Sequence, residues 1–127
     1  MIILDENIPE SQLWLLRSWH VTCHQIGLHE GRKGTKDDGI LALLHRRRQA
    51  TFLTRDDGFY ESKLCHRGYC IVVMNVSPEE VAVFARRVLN RPEFATKAAR
   101  MGAVIRVSHS GLRVWHQGSA HELQIAW

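Results

Sequence analysis

Aspartate is confined to three places in the first half of the chain. They are Asp5 after the apolar residues 1–4, Asp37 and Asp38 after a loop-like segment, and Asp56 and Asp57 after the apolar residues 50–54. Carboxylates gathered at one place repel each other, and a hard divalent cation bound through oxygen offsets that cost. If the fold brings these residues together, the pattern predicts a Mg²⁺ or Mn²⁺ site.

Such a site has a defined chemistry. A bound divalent ion polarises a phosphoryl oxygen, generates hydroxide from water and, where two ions lie about 3.5–4 Å apart, stabilises the leaving oxygen. The sequence therefore indicates phosphodiester hydrolysis. Each aspartate taken singly also has a structural explanation, because Asp forms turns after strands and interacts with helix dipoles. A capping pair with Thr35 accounts for Asp38.

The elements that position these residues follow from the hydrophobic pattern. It predicts strands at 1–4, 20–26, 50–54 and 69–74, helices at 9–19, 35–48 and 77–89, a short helix from Pro92 to about Met101, and a β-hairpin from 104–108 and 112–115. Alternating strands and helices predict a parallel sheet with helices on both faces. Ligands bind beyond the carboxyl ends of such strands, so we expect Asp5, Asp37 and Asp56 at one edge.

Three segments around the aspartates share their pattern with a known family. Residues 4–9 read LDENIP, residues 36–41 read KDDGIL and residues 52–56 read FLTRD. They resemble, in order and spacing, three motifs of the small bacterial and archaeal PIN-like proteins, which are relatives of the PIN-domain ribonucleases and VapC-type toxins. The three motifs are L-D-E-N-[LI]-P, a small residue followed by D-E-E-I-L, and V-L-T-R-D. The resemblance covers about residues 1–75 of a single domain spanning 1–127, with helices and a hairpin in 76–127.

The resemblance implies a three-layer PIN-like α/β fold whose acidic residues bind Mg²⁺ or Mn²⁺ and cleave RNA. Motif by motif it carries the role of metal ligand to Asp5, Asp37 and Asp56. Asn7, in the first motif, is a candidate for substrate binding. By analogy, a protein of this size is the toxin of a toxin and antitoxin pair, so we expect an antitoxin partner, and a homodimer is a further expectation.

The third motif departs from the family pattern T-R-D-x-D-F. Gly58 occupies the position of the second Asp, and Asp57 lies one position early. We expect Asp57 to be a fourth catalytic metal ligand through a shifted turn, or the fourth ligand to be absent. The second case leads to the alternative function, a catalytically inactive PIN-like module that binds RNA or protein.

Basic residues supply candidates for RNA binding. Arg55, beside Asp56, is predicted to bind a substrate phosphate, with a salt bridge to Asp37 or Asp57 as the equal alternative. Three groups of basic residues are further candidates for guiding an RNA backbone: Arg32 with Lys33, Arg46 to Arg48, and Arg86 with Arg87. The alternative is more common, because runs of charge on helices are usually solvated faces.

The composition limits the class of protein to which the chain can belong. With 127 residues, 45% of them hydrophobic, and a net charge of +4, the chain is typical of one globular domain with a surplus of positive charge. The apolar runs are too short to span a membrane, and residues 1–4 are followed by two acids, so we expect a cytoplasmic protein. His20 and His24 fall on one face of the predicted second strand, but no further ligand pair has zinc spacing, which disfavours zinc.

Overall fold

The computed structural model describes residues 1–31, 34 and 36–127. Its strands are β1 Ile2–Leu4, β2 Cys23–Gln25, β3 Ala50–Thr54, β4 Tyr69–Met74, β5 Ala103–Ser108, β6 Gly111–His116 and β7 Leu123–Ala126. Its helices are α1 Glu10–Ser18, α2 Asp37–Arg46, α3 Val81–Leu89 and α4 Lys97–Arg100.

The strands form one seven-stranded sheet in the order β2-β1-β3-β4-β5-β6-β7. The first five are parallel, whereas β6 and β7 are antiparallel to their neighbours. The predicted mostly parallel α/β sheet and the predicted hairpin, which is β5 with β6, are confirmed. The hairpin is extended by β7, so the segment after residue 116, for which the sequence predicts no element, contains the last strand.

Helices pack on both faces of the sheet and give the molecule three layers. On one face, α1 and α3 contribute buried residues such as Leu13 and Phe84 to a core that includes Leu53 and Val72 of the sheet. On the other face, Ile40 and Leu44 of α2 pack with Ile3, Phe52 and Ile71. The two central strands β3 and β4 are buried along their whole length, which explains their near-continuous apolar sequence.

Three predicted elements differ in extent from the observed ones. The helix expected at 77–89 begins as a 3₁₀ turn at Pro78–Glu80, and α3 follows from Val81. The second strand was expected at 20–26, but His20 adopts a left-handed conformation with φ 63° and its N–H closes the end of α1 on Arg17 O. The strand is therefore limited to the three residues that pair with β1. The short helix expected to continue to Met101 is a turn at Pro92–Phe94 followed by the four-residue α4.

The segment before α2 carries a predicted helix cap and two predicted RNA contacts. The first helical residue of α2 is Asp37, after Lys36, while the capping role predicted for Thr35 and the RNA contact predicted for Arg32 and Lys33 lie outside the described residues. No helix in the described part of the chain combines the length and the apolar character that a membrane crossing needs.

Candidate metal site at the ends of β1 and β3

The site lies where the order of the strands reverses. From β1 the chain moves to β2 on one side and then returns to β3 on the other side of β1. In open parallel sheets this switch point leaves a crevice beyond the carboxyl ends of the two strands, and ligands bind there. Asp5 directly follows β1, and Asp56 follows β3 after one intervening residue, so the sequence pattern places both at this crevice.

Asp5 is the buried member of the site, with only 6% of its surface exposed. Its Oδ1 accepts a hydrogen bond from Glu6 N at 2.8 Å, and its Oδ2 accepts one from Thr54 Oγ1 at 2.7 Å. Burial raises the pKa of Asp5; the two hydrogen bonds oppose this shift, and the charges of Glu6 and Asp56 add to it. The fold therefore holds a carboxylate where its negative charge is poorly solvated.

Thr54 connects the two aspartates. Its side chain is fully buried, and while its hydroxyl donates to Asp5, the same oxygen accepts a hydrogen bond from Asp56 N at 3.1 Å. Asp56 is exposed, and its Oδ1 accepts a hydrogen bond from Gly58 N at 2.8 Å. No role was predicted for Thr54 from the sequence, although a strand-final hydroxyl two residues before a candidate ligand was the signal for one.

Asp37 lies at the same edge but does not complete a cluster. Both carboxylate oxygens of Glu6 accept a hydrogen bond from Gly34 N, at 2.8 and 3.0 Å, which holds Gly34 near the end of β1. Asp37 is three residues further on, within about 10 Å of Gly34 along the chain. Within residues 1–31, 34 and 36–127, no three His, Cys, Asp or Glu side chains are close enough together to hold a metal ion.

The remaining predicted site residues are arranged differently. Asp57 Oδ1 accepts a hydrogen bond from Arg106 Nε at 3.2 Å, and Arg55 Nε donates to Val76 O at 3.2 Å. Neither ion pair considered for Arg55 is present in the part of the chain that the structure describes. Asn7 is exposed in the loop between β1 and α1. The roles of Asn7, Arg55, Asp37 and Asp57 in binding stay predictions.

The other basic residues are largely engaged within the fold. Arg47 pairs with the buried Glu30, Arg86 stacks on Trp19 with its guanidinium carbon 3.8 Å from the ring centre, and Arg87 stacks on Trp127 at 4.1 Å. These three arginines are thus neither simply solvated nor free of contacts within the fold, and their part in guiding RNA stays a prediction. His20 and His24 do not share a strand face, because His20 lies outside β2.

The donor set of the crevice fits one hard cation. Mg²⁺ retains several waters in proteins and is usually held by one or two carboxylates together with substrate phosphates. Asp5 and Asp56 supply the two carboxylates, and the cation would offset both their mutual repulsion and the poor solvation of Asp5. A site for two ions needs more carboxylates than this pair.

Comparison of the chain with protein-family models, with curated proteins and with solved structures found no match. The chemistry of the crevice is therefore the basis for a function.

Proposed function

We propose that the protein is a Mg²⁺- or Mn²⁺-dependent ribonuclease that hydrolyses phosphodiester bonds of RNA. The observation that supports this function is that Thr54 links the Asp5 carboxylate to the Asp56 backbone at the switch point of the sheet. A toxin role with an antitoxin partner is part of the same proposal and rests on the resemblance alone. A homodimer and a cytoplasmic location, the latter expected from residues 1–6, complete the proposal.

Each residue of the crevice has its own part in this function. Asp5 and Asp56 would hold the ion, and the chemistry that the ion supplies is polarisation of a phosphoryl oxygen and a hydroxide at neutral pH. Thr54 fixes the orientation of Asp5, because its donated proton occupies Asp5 Oδ2 while its oxygen anchors the Asp56 backbone. The burial of Asp5 strengthens its attraction for a cation, since charges interact more strongly away from water.

A specific observation favours a second candidate, an inactive PIN-like module that binds RNA or protein. Asp57, expected as the fourth ligand, is paired with Arg106, and Gly58 provides no carboxylate. This candidate predicts binding without cleavage.

One experiment separates the two functions. Labelled single-stranded RNA is incubated with the purified protein and either Mn²⁺, Mg²⁺ or EDTA, and fragments are resolved on a gel. We expect fragments only with a divalent ion, and a higher melting temperature in Mn²⁺, equivalent to about 2.7 kcal/mol when the ion is at about 100 times its Kd. RNA binding that survives EDTA, with no fragments under either ion, would instead identify the inactive module.

Gly58 provides a prediction about the geometry of the site. A Cβ at position 58 would lie 3.0 Å from Asp56 Oδ1, so the Asp56 carboxylate has to shift by a few tenths of an ångström in Gly58→Ala. We expect this variant to bind Mn²⁺ several-fold more weakly, while its free energy of unfolding changes by less than about 0.5 kcal/mol because the site is exposed. Calorimetric titration with Mn²⁺ and denaturant unfolding measure the two quantities.

The chain offers a matched control for this substitution. Gly68 N donates to His66 Nδ1 at 2.9 Å, and a Cβ at Gly68 would lie 3.1 Å from that ring, which repeats the Gly58 arrangement away from the crevice. Gly68→Ala is expected to leave Mn²⁺ binding unchanged. Equal Mn²⁺ affinities for the two variants would contradict the role of Asp56.

A further inference from the structure

A row of paired residues crosses the sheet from the candidate metal site to the edge strand β7. Thr54 of β3 lies opposite Val73 of β4, Val73 opposite Arg106 of β5, Arg106 opposite Arg113 of β6, and Arg113 opposite Gln124 of β7. Directly paired residues project from the same face of a sheet. Thr54, Arg106, Arg113 and Gln124 are therefore on one face, the face on which Val73 packs with α2.

Beyond β4 this face is covered in part, because Val104 of β5 is fully buried and Trp115 packs against the same cluster; toward Arg106 the face is open. A cleft of about 370 Å³ lies over β5, β6 and β7, and its lining includes Arg106, Arg113 and Gln124. Gly111 forms part of the floor: its φ is +149°, and a Cβ there would lie 2.2 Å from Ile125 O. Because the floor carries no side chain at this point, the arginines form the wall of a groove.

Two arginines and two carboxylates of the described residues meet at the groove. Arg106 and Arg113 are directly opposite across β5 and β6, an arrangement of like charges that costs stability. Asp57 pairs with Arg106, whereas Arg113 is exposed and forms no ion pair in the described part of the chain. Glu122, next to β7, keeps its negative charge while it accepts a hydrogen bond from the Tyr60 hydroxyl at 2.6 Å. The positive group of the groove that is open to an added anion is therefore the guanidinium of Arg113.

We infer that this groove binds the phosphate backbone of single-stranded RNA on one side of the bond that is cut. The inference rests on the proposed ribonuclease function and names the path of its substrate. Neighbouring strands are about 4.8 Å apart, so Arg106 and Arg113 lie about 10 and 14 Å across the sheet from Thr54. An RNA strand that has one phosphate at Asp5 and Asp56 therefore places phosphates further along its backbone beside Arg106 and Arg113.

The contacts on the groove suit a single strand. The forked guanidinium group of arginine binds phosphate oxygens, and the side-chain amide of Gln124 adds a donor to backbone oxygens along the same cleft. A positively charged groove that follows the backbone is the usual means of binding single strands without sequence preference. The Asp57 and Arg106 pair joins the groove to the residue that follows Asp56.

The test measures RNA binding separately from cleavage. A labelled single-stranded RNA of about ten nucleotides, within the site sizes of single-strand binders, is titrated with the full chain in EDTA at several salt concentrations, with fluorescence anisotropy as the readout. Arg113→Gln is expected to weaken binding about fivefold to tenfold and to lower the slope of log K against log salt by about 0.7, one phosphate contact. Arg113→Lys, which retains the charge, is expected to retain the slope.

Arg67→Gln is the matched control, because Arg67 is an exposed arginine before β4, at the opposite edge of the sheet from Asp56. Equal losses in Arg113→Gln and Arg67→Gln, or no RNA binding by the unsubstituted protein, would overturn the inference. Binding of an oligoglutamate peptide through Arg113 in place of RNA would assign the groove to an acidic protein partner and overturn it as well. Arg113-dependent RNA binding without any Mn²⁺-dependent cleavage would refute the proposed nuclease and retain the groove.

Discussion

Asp5→Asn and Asp56→Asn are each expected to lower the rate of Mn²⁺-dependent RNA cleavage by at least about 100-fold. Loss of residues that only orient metal ligands already costs about 10- to 100-fold in affinity or activity, and these two substitutions remove the ligand charge itself. Cleavage rates at saturating RNA and calorimetric Mn²⁺ binding measure the effect. If both variants cleave RNA as fast as the unsubstituted protein, these carboxylates are not the metal site.

Asp38→Asn is the control for this experiment. Asp38 is exposed in the first turn of α2, next to Asp37, so its substitution alters the charge of the same edge without removing a carboxylate from the crevice. Its cleavage rate is expected to stay within about twofold of the unsubstituted rate, because exposed charges interact weakly through water. A large loss in Asp38→Asn would show that the general negative charge of the edge is what matters.

Stability measurements show whether Asp5→Asn loses activity by unfolding. Burial raises the pKa of Asp5 in the folded protein, so its ionised form costs folding stability once the pH rises above the value for the unfolded chain. The substitution removes this cost at every pH, but if the new side-chain amide donates to Thr54 Oγ1 while its oxygen accepts from Glu6 N, the buried Thr54 proton loses its acceptor. In metal-free buffer we therefore expect the melting temperature of Asp5→Asn, relative to that of the unsubstituted protein, to be higher at pH 7 than at pH 3.

The central part of the fold was predictable because burial on both faces dictates the sequence of a strand. Residues 50–54 and 69–74 are continuous apolar runs with polar neighbours, and they coincide with β3 and β4. The helical start before α3 was equally clear, because Ser77, Pro78 and Glu80 combine a capping side chain with proline in the first turn. Ser77 N donates to Glu80 Oε1 at 3.0 Å and caps the 3₁₀ turn Pro78–Glu80, which leads into α3 at Val81.

The edges of the sheet were less predictable because pairing partners set their limits. The strand β2 is an edge strand whose extent is fixed by three residues of β1, not by its own composition. At the other edge, β7 is half exposed and has only two large apolar residues, Leu123 and Ile125. Its existence depends on hydrogen bonding to β6, which leaves little trace in a single sequence.

The sequence predicted which edge of the sheet carries the candidate site, but it did not predict which side chains contact each other there. Strand ends place Asp5 and Asp56 at one crevice, whatever the side chains do. The pairing of Asp57 with Arg106 joins residues 49 positions apart, and it follows from the order of strands β3, β4 and β5 rather than from any local motif. Long-range contacts of this kind decide whether a candidate carboxylate faces the crevice or a neighbouring arginine.

Thr54→Val is expected to damage both stability and activity, because it removes the hydroxyl that joins the two aspartates. Asp5 Oδ2 would be left buried without its donor, and an unsatisfied buried polar group costs about 1–3 kcal/mol, more if it is charged. We also expect cleavage to fall by about 10- to 100-fold, the usual cost of losing a group that orients a metal ligand. Denaturant unfolding and Mn²⁺-dependent cleavage measure the two effects.

Thr54→Ser separates the hydroxyl from the methyl group of the same side chain. Serine retains the donor to Asp5 and the acceptor for Asp56 N, and it loses one buried methyl group, a cost of about 1 kcal/mol. Its cleavage rate is therefore expected to stay within a few-fold of the unsubstituted rate even though the protein is less stable. Similar cleavage by the valine and serine variants under conditions where both are folded would mean that Thr54 only fills space at the end of β3, and that Asp5 holds its orientation without the threonine hydroxyl.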